Sequence, residues 1–398
     1  MVRDLIYSAP HALELSAIFR IAFDSNAPKP SNESIQTLAS RLPDRAFCYE
    51  VLTKVSRSFA VVIQQLPEEL KDPVCIFYLT LRALDSIEDD MDLDEVRKEK
   101  LLRNFHNQCG DGHLTYPGIG DTEDYRMLMS HYDKVARVYA ALAPEYREVI
   151  ADITRRMGHG MADYADQKVR SISDYDHYCH YVAGLVGYGL SGLFSASGLE
   201  HEGLRYQYRL SNSMGLFLQK TNIIRDYHED LEVGRRFWPA EIWSAFSADF
   251  KWFNQNPEHP KSLACLNTMV ADALRHLPDT IVYMKLLKDT QIFRFCAIPQ
   301  IMAIATLAKV FNNPDVFTQN VKIRKGMAAK IMVYTYDMHF TLNEFRRHLE
   351  SIRAMANPGC ESYAEVIKQV NSSLDALYEN VDSSEVFNST AVSVGKAS

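Results

Sequence analysis

From Val74 to Ile87 the apolar residues Val74, Phe77, Leu81, Leu84 and Ile87 recur at steps of three and four. That spacing puts them on one side of an α-helix. The same periodicity recurs along most of the chain, and the alternation expected of strands is scarce. A chain with this pattern has to bury helix against helix, so the fold class is all-α. Turn-rich stretches at 24–34, 109–121, 254–262, 312–315 and 357–360 read as loops, and none is long enough for a clear linker. One large helical domain is therefore expected. Its divisions are an N-terminal helical extension at 1–44, a main helical body at 45–345, a helical segment at 346–381 and a disordered tail at 382–398.

Composition narrows the function classes. With 47% hydrophobic and 24% charged residues the 398-residue chain reads as an ordinary globular protein. A net charge of −8 argues against nucleic acid as a partner, although local basic clusters would still suit anionic ligands. Seven cysteines without a C-x-x-C pair suit reduced thiols rather than a disulfide framework or a zinc site. The N-terminus carries Arg20 within its most apolar part, so no signal peptide is read. The uncharged stretches 181–199 and 295–308 are expected as helices buried in protein rather than membrane spans.

Beside the apolar side of the 74–87 helix runs a second stripe, Tyr78, Arg82, Asp85 and Asp89, at steps of four, three and four. Asp85 begins the pattern D-x-x-E-D, and Asp226 begins the same pattern again. About 0.1 occurrences are expected by chance from this composition, so two call for an explanation. The second copy also ends a polar stripe, Gln219, Asn222, Asp226 and Asp230, amid Leu216, Phe217, Leu218, Ile223 and Ile224. Each copy has an arginine upstream, Arg82 and Arg225. Aspartates one turn apart offer hard oxygen ligands, and magnesium takes one or two carboxylates together with water and substrate phosphates. Asp85, Glu88, Asp89, Asp226 and Asp230 are the candidate ligands. Acidic runs also occur as solvated helix ends; the matched pair favours the metal reading, with Asp90, Asp92, Asp94 and Glu95 left as surface charge.

Seven segments together resemble the squalene synthases: 56–67, 77–92, 178–191, 214–230, 234–243, 295–308 and 321–326. The resemblance covers roughly residues 45–345 and is specific, because long motifs agree in order and spacing. It implies an all-α isoprenoid-synthase fold with a central cavity. It also implies magnesium-dependent condensation of two farnesyl diphosphates to presqualene diphosphate, followed by NADPH-dependent reduction to squalene. By the family pattern Ser56, Arg57, Arg82, Arg225 and Arg235 contact diphosphate, with Tyr78, Gln219 and Asn222 beside them. Phe59, Val182, Ala183, Leu190, Phe295 and Pro299 would wall the cavity against water, the rings facing the carbocation. Tyr178 matches the family's catalytic tyrosine. No Rossmann cradle is expected for NADPH. Lys322, Arg324 and Lys325, with help from Asn222, would bind the cofactor, cations suiting its extra phosphate.

The resemblance further implies a monomer at the cytosolic face of the endoplasmic reticulum, held there by a C-terminal anchor. No span of about 20 apolar residues follows residue 382, so this chain is expected to be soluble as given. His228 and Gly192 stand where other residues are expected in some relatives. A related synthase that stops before reduction, a terpene cyclase and a catalytically dead prenyl-diphosphate-binding protein remain as alternatives.

Overall fold

The structure, a computed structural model, describes residues 13, 14, 16, 17, 42–56, 58–164 and 169–394. Among the described residues there is no strand. The chain forms two compact units that each draw on distant parts of the sequence. One takes 28–167 and 188–206; the other takes 1–27, 168–187 and 207–398.

In the first unit α1 (Pro43–Ser56) leads through α2 (Ser58–Ile63) to α3 (Glu68–Asp89). Then come α4 (Glu95–Asn104), α5 (Glu123–Ser130), α6 (Tyr132–Ala141) and α7 (Pro144–Tyr164). Helix α3 is the centre, with α1, α4, α5, α6 and α7 packed around it. Thirteen of its 22 residues are buried, including Val74, Phe77, Leu81, Leu84 and Ile87. Burial on most sides is what its apolar spacing demands. Pro73, in the second turn of α3, removes the one amide that would donate to the Glu69 carbonyl.

The second unit begins with α8 (Ile172–Cys179), whose start is fixed by a capping box between Ser171 and Asp174. One π-helical turn, His180–Gly184, follows before α9 (Leu185–Ala196), which runs on into the first unit from Tyr188. The unit continues with α10 (Tyr208–Arg225), α11 (Tyr227–Glu232), α12 (Ala240–Trp243), α13 (Trp252–Gln255), α14 (Pro260–Leu274) and α15 (Leu277–Leu286). It ends with α16 (Thr290–Val310), α17 (Lys325–Tyr334), α18 (Met338–Met355), α19 (Tyr363–Tyr378) and α20 (Ser383–Val394). Helix α10 is its hub, packed on the π-turn, α14, α15 and α16. Helix α16 has the length and hydropathy of a membrane span, yet 72% of that window is buried inside the protein, as expected for a core helix.

Two sequence expectations need correction. The tail from 382 is not structureless: Ser383–Val394 is helical, because Asp382 Oδ1 accepts from the Ser384 amide at 2.9 Å and so caps the helix start. Asp90 and Asp94 are not idle surface charge. Asp94 caps α4 through the Arg97 amide, and Asp90 is only 9% exposed. All seven cysteines are free thiols, and only Cys360 is not buried.

Candidate active site

The first carboxylate stripe lies on α3. Tyr78, Arg82, Asp85, Glu88 and Asp89 are half-buried, and nearly every other position from Val74 to Asp90 is fully buried. A polar row on an otherwise enclosed helix thus exists as the sequence predicted. Arg82 Nη1 lies 3.2 Å from Asp85 Oδ2. Burial pushes the Asp85 carboxyl up to about 6; Asp89 adds to the rise and Arg82 opposes it. Phe59 on α2 lies with its ring 6.1 Å from that of Tyr78. Ser56, the last residue of α1, has a buried hydroxyl without a hydrogen-bond partner. Arg57 lies outside the described residues.

The second stripe differs in backbone. Gln219 is half-buried and Asn222 exposed on α10, but the helix ends at Arg225 and restarts at Tyr227. Trp238 explains the break: its indole N–H donates to the Ile223 carbonyl at 3.2 Å. In an unbroken helix that carbonyl would serve the Tyr227 amide. Asp226 at the junction and Asp230 one turn on remain coupled, the Asp230 amide donating to the Asp226 carbonyl at 2.9 Å. Arg225 grips Asp226 with two hydrogen bonds, 2.7 Å from Nε and 2.6 Å from Nη2. The Arg235 amide donates to the Asp230 carbonyl at 2.8 Å, which sets the turn after α11. Behind this corner Tyr227, Trp238, Phe250, Phe253 and Phe317 form an aromatic cluster.

Tyr178, the last residue but one of α8, stacks on Phe237, ring centroids 5.1 Å apart and planes 17° apart. Single π-turns are frequent at functional sites. This one is held against α10 by close backbone approach and by the His180–Asn212 side-chain hydrogen bond of 2.7 Å. Val182 and Ala183 lie on the turn itself, half-buried. Phe295 (6% exposed) and half-buried Pro299 lie on α16, and Leu190, half-buried, on α9. Among the described residues no group of three or more histidines, cysteines or carboxylates is preassembled as a metal site.

Comparison with known proteins decides the family. The squalene/phytoene synthase family pattern matches residues 52–327. A protein named squalene synthase BSS from Botryococcus braunii is 50% identical over 321 residues, covering 79% of this chain and 69% of its own. The squalene synthase of Schizosaccharomyces pombe is 46% identical over 340 residues, covering 82% and 74%. The structure of TcSQS in complex with the ligand E5700 superposes with a TM-score of 0.82 at 46% identity, over 84% of this chain and 98% of that one. The chain belongs to the squalene/phytoene synthase family. Its fold is the all-α isoprenoid-synthase fold.

In this squalene/phytoene synthase family member four features escaped the sequence reading. Phe237 stacks on Tyr178, and Tyr125 lies over Arg82, its ring centroid 5.3 Å from Cζ. Neither aromatic belongs to a periodic pattern, so only the fold brings them in. The third is a run with G-x-G-x-x-G spacing, Gly187 to Gly192. It lies inside α9 rather than between a strand and a helix, so it is no dinucleotide cradle. Its glycines admit neighbours: a Cβ would sit 2.1 Å from Ser211 O at Gly187, 2.3 Å from the Phe77 ring at Gly189 and 3.0 Å from Val149 at Gly192. The fourth is a partner for the basic segment 322–325. Arg324 immediately precedes α17 and is ion-paired with Glu14 at 2.7 Å, while Lys322 and Lys325 are exposed.

A cavity of about 400 Å³ is lined by Asp176, His180, Asn212, Arg275, His276 and Asp279, among others. Its carboxylates are already paired, Asp176 with Arg275 and Lys220, and Asp279 with Arg209. It braces α8, α10 and α14 and carries none of the expected site residues.

Proposed function

We propose that this protein joins two farnesyl diphosphates head to head through presqualene diphosphate and converts that intermediate to squalene. The observation that carries the reading is the pair of D-x-x-E-D motifs, the first a half-buried stripe on an otherwise buried helix, in a chain 46–50% identical to proteins named squalene synthase. Asp85, Glu88, Asp89, Asp226 and Asp230 would hold magnesium, and the half-buried row of Asp85, Glu88 and Asp89 on α3 supports that role. Lys322, Arg324, Lys325 and Asn222 would hold NADPH; the exposure of the two lysines and of Asn222 suits a soluble nucleotide. Bound magnesium would neutralise the departing diphosphate, and bound NADPH would supply the hydride.

The chain's own residues do the remainder. Arg82, Arg225 and Arg235, with Ser56, Arg57, Tyr78 and Gln219, take diphosphate oxygens, arginine offering in-plane donors that match them. Phe59, Val182, Ala183, Leu190, Phe295 and Pro299 exclude water from the carbocation. The Tyr178 phenol oxygen receives the proton released when the cyclopropane closes. A free phenol titrates near 10, so the released diphosphate serves as final acceptor. The first half-reaction balances as two farnesyl diphosphates giving presqualene diphosphate, diphosphate and a proton. The second adds hydride and releases the second diphosphate. We further place the protein as a monomer working at the cytosolic face of the endoplasmic reticulum, where an apolar product partitions.

The test is a paired incubation of the protein with farnesyl diphosphate and magnesium, with and without NADPH, read by mass spectrometry. Squalene only with NADPH, and presqualene diphosphate without it, is expected. The Arg324–Glu14 pair favours one second reading, a synthase that stops before reduction. Presqualene diphosphate in both tubes would establish that alternative. No thirty-carbon product in either tube would refute both.

A further inference from the structure

We propose that Tyr125 and Asp90 are positioning residues for Arg82, forming a clamp that presents its guanidinium edge to a diphosphate. Arg82 Cζ lies 5.9 Å from the ring centroid of Tyr78 and 5.3 Å from that of Tyr125. Its Nε–H is buried without an acceptor, and Asp85 is its ion-pair partner at 3.2 Å. A ring over a guanidinium engages its face, so the Tyr125 ring leaves open the in-plane N–H groups that Asp85 and Tyr78 do not take. Tyr78 belongs to the same helix. Tyr125 is brought from α5, by contacts that start at Asp90.

Asp90 follows directly on the carboxylate stripe and is buried. Its Oδ2 accepts from the Gly120 amide at 2.9 Å, and its Oδ1 from the Asp92 amide at 3.0 Å. Arg126 Nη1 donates to the Gly120 carbonyl at 2.8 Å, so Gly120 is fastened on both sides. Only glycine fits there. Its φ is +118°, and a Cβ would meet Tyr125 Cβ at 3.0 Å and the Arg126 amide nitrogen at 3.1 Å. Two residues later Thr122 accepts from the Tyr125 amide at 3.3 Å and opens α5. The chain from Asp90 to Tyr125 is thus one hydrogen-bonded latch. An arginine already held in its binding orientation loses less freedom when the anion arrives, which is the gain from preorganisation.

The inference rests on the proposed reaction only for the identity of the anion. Its test therefore uses inorganic diphosphate with magnesium, by calorimetry, alongside KM and kcat for farnesyl diphosphate. Tyr125→Leu should weaken diphosphate binding about tenfold and raise KM in parallel. Tyr125→Phe keeps the ring and should stay within twofold of wild type. Asp90→Asn loses one acceptor and should fall between them. If Tyr125→Leu does not fold, Tyr125→Gln takes its place at this half-buried position with the same expectation. Tyr125→Leu or Tyr125→Gln with wild-type diphosphate affinity and a native circular dichroism spectrum would overturn the clamp. So would Tyr125→Phe as weak as Tyr125→Leu, since the ring would then not be the operative group. Wild type that binds diphosphate but makes no thirty-carbon product would sink the reaction and leave the clamp standing.

Discussion

Gly215→Ala tests whether the π-turn at Tyr178 depends on contact with α10. A Cβ built on Gly215 lies 2.3 Å from the Ala183 carbonyl oxygen, 2.6 Å from its carbon and 2.8 Å from the Gly184 nitrogen. A relaxed carbon–oxygen contact is about 3.3 Å, so the two backbones must part by about 1 Å. All three atoms are main chain, and no rotamer change relieves the clash. Gly184 shares this close approach, since a Cβ there would lie 2.0 Å from Oδ1 of Asn212, on the same helix as Gly215. Overpacking of this kind costs about 3 kcal/mol. With an unfolding entropy of about 2 cal/mol/K per residue, that lowers the melting temperature by about 4 °C. A displacement of about 1 Å at a catalytic group costs up to ~100-fold in rate. Gly215→Ala should therefore lose presqualene diphosphate formation far beyond what its melting temperature explains, measured at 25 °C where the variant is folded. Gly359→Ala is the control, because its Cβ would meet only Asn357 Oδ1 at 3.4 Å. Wild-type turnover and melting temperature in Gly215→Ala would refute the reasoning.

Two further outcomes follow from buried charge. Lys220 is fully buried, 2.6 Å from Asp176 and 2.5 Å from Asp272, with its ammonium 4.6 Å from the centre of the Tyr175 ring. Lys220→Met strands part of that negative charge, and Arg275 still serves both aspartates, so the loss should fall near 3 kcal/mol in denaturant unfolding. Burial, helped by Arg347, pulls the His348 imidazole down to about 4. Between about pH 6.5 and 4 the unfolded chain binds a proton that the folded chain refuses. Stability from His348 is thus complete above pH 6.5 and lost as pH falls to 4. His348→Gln should flatten the urea midpoint over that window; an unchanged slope would contradict the assignment.

Periodicity made the fold legible, since the apolar spacing around Phe77 and Leu84 needed only one helix to be read. The first stripe was legible for the same reason, and Tyr78, Arg82, Asp85 and Asp89 are half-buried where their neighbours are enclosed. Contacts across the sequence were not. The break at Asp226 depends on Trp238, the burial of Asp90 on Gly120, and the orientation of Tyr178 on Phe237. The helix from Ser383 depends on a cap at Asp382 that the polar, serine-rich composition hid. In each case a single hydrogen bond or ring contact overrides what the local sequence suggests.

The two D-x-x-E-D copies show how far identical letters can diverge. The first lies on one continuous helix, and its arginine is clasped by rings while Asp85 keeps a raised pKa of about 6. The second straddles a helix break, and its arginine spends Nε and Nη2 on Asp226. A carboxylate already bridged by two guanidinium hydrogen bonds is compensated; a buried one with a single 3.2 Å contact is not. The Asp85 carboxylate thus has one guanidinium contact and the Asp226 carboxylate two hydrogen bonds. The same five letters thus give two differently compensated carboxylates, because the backbone breaks at the second copy where it runs on at the first.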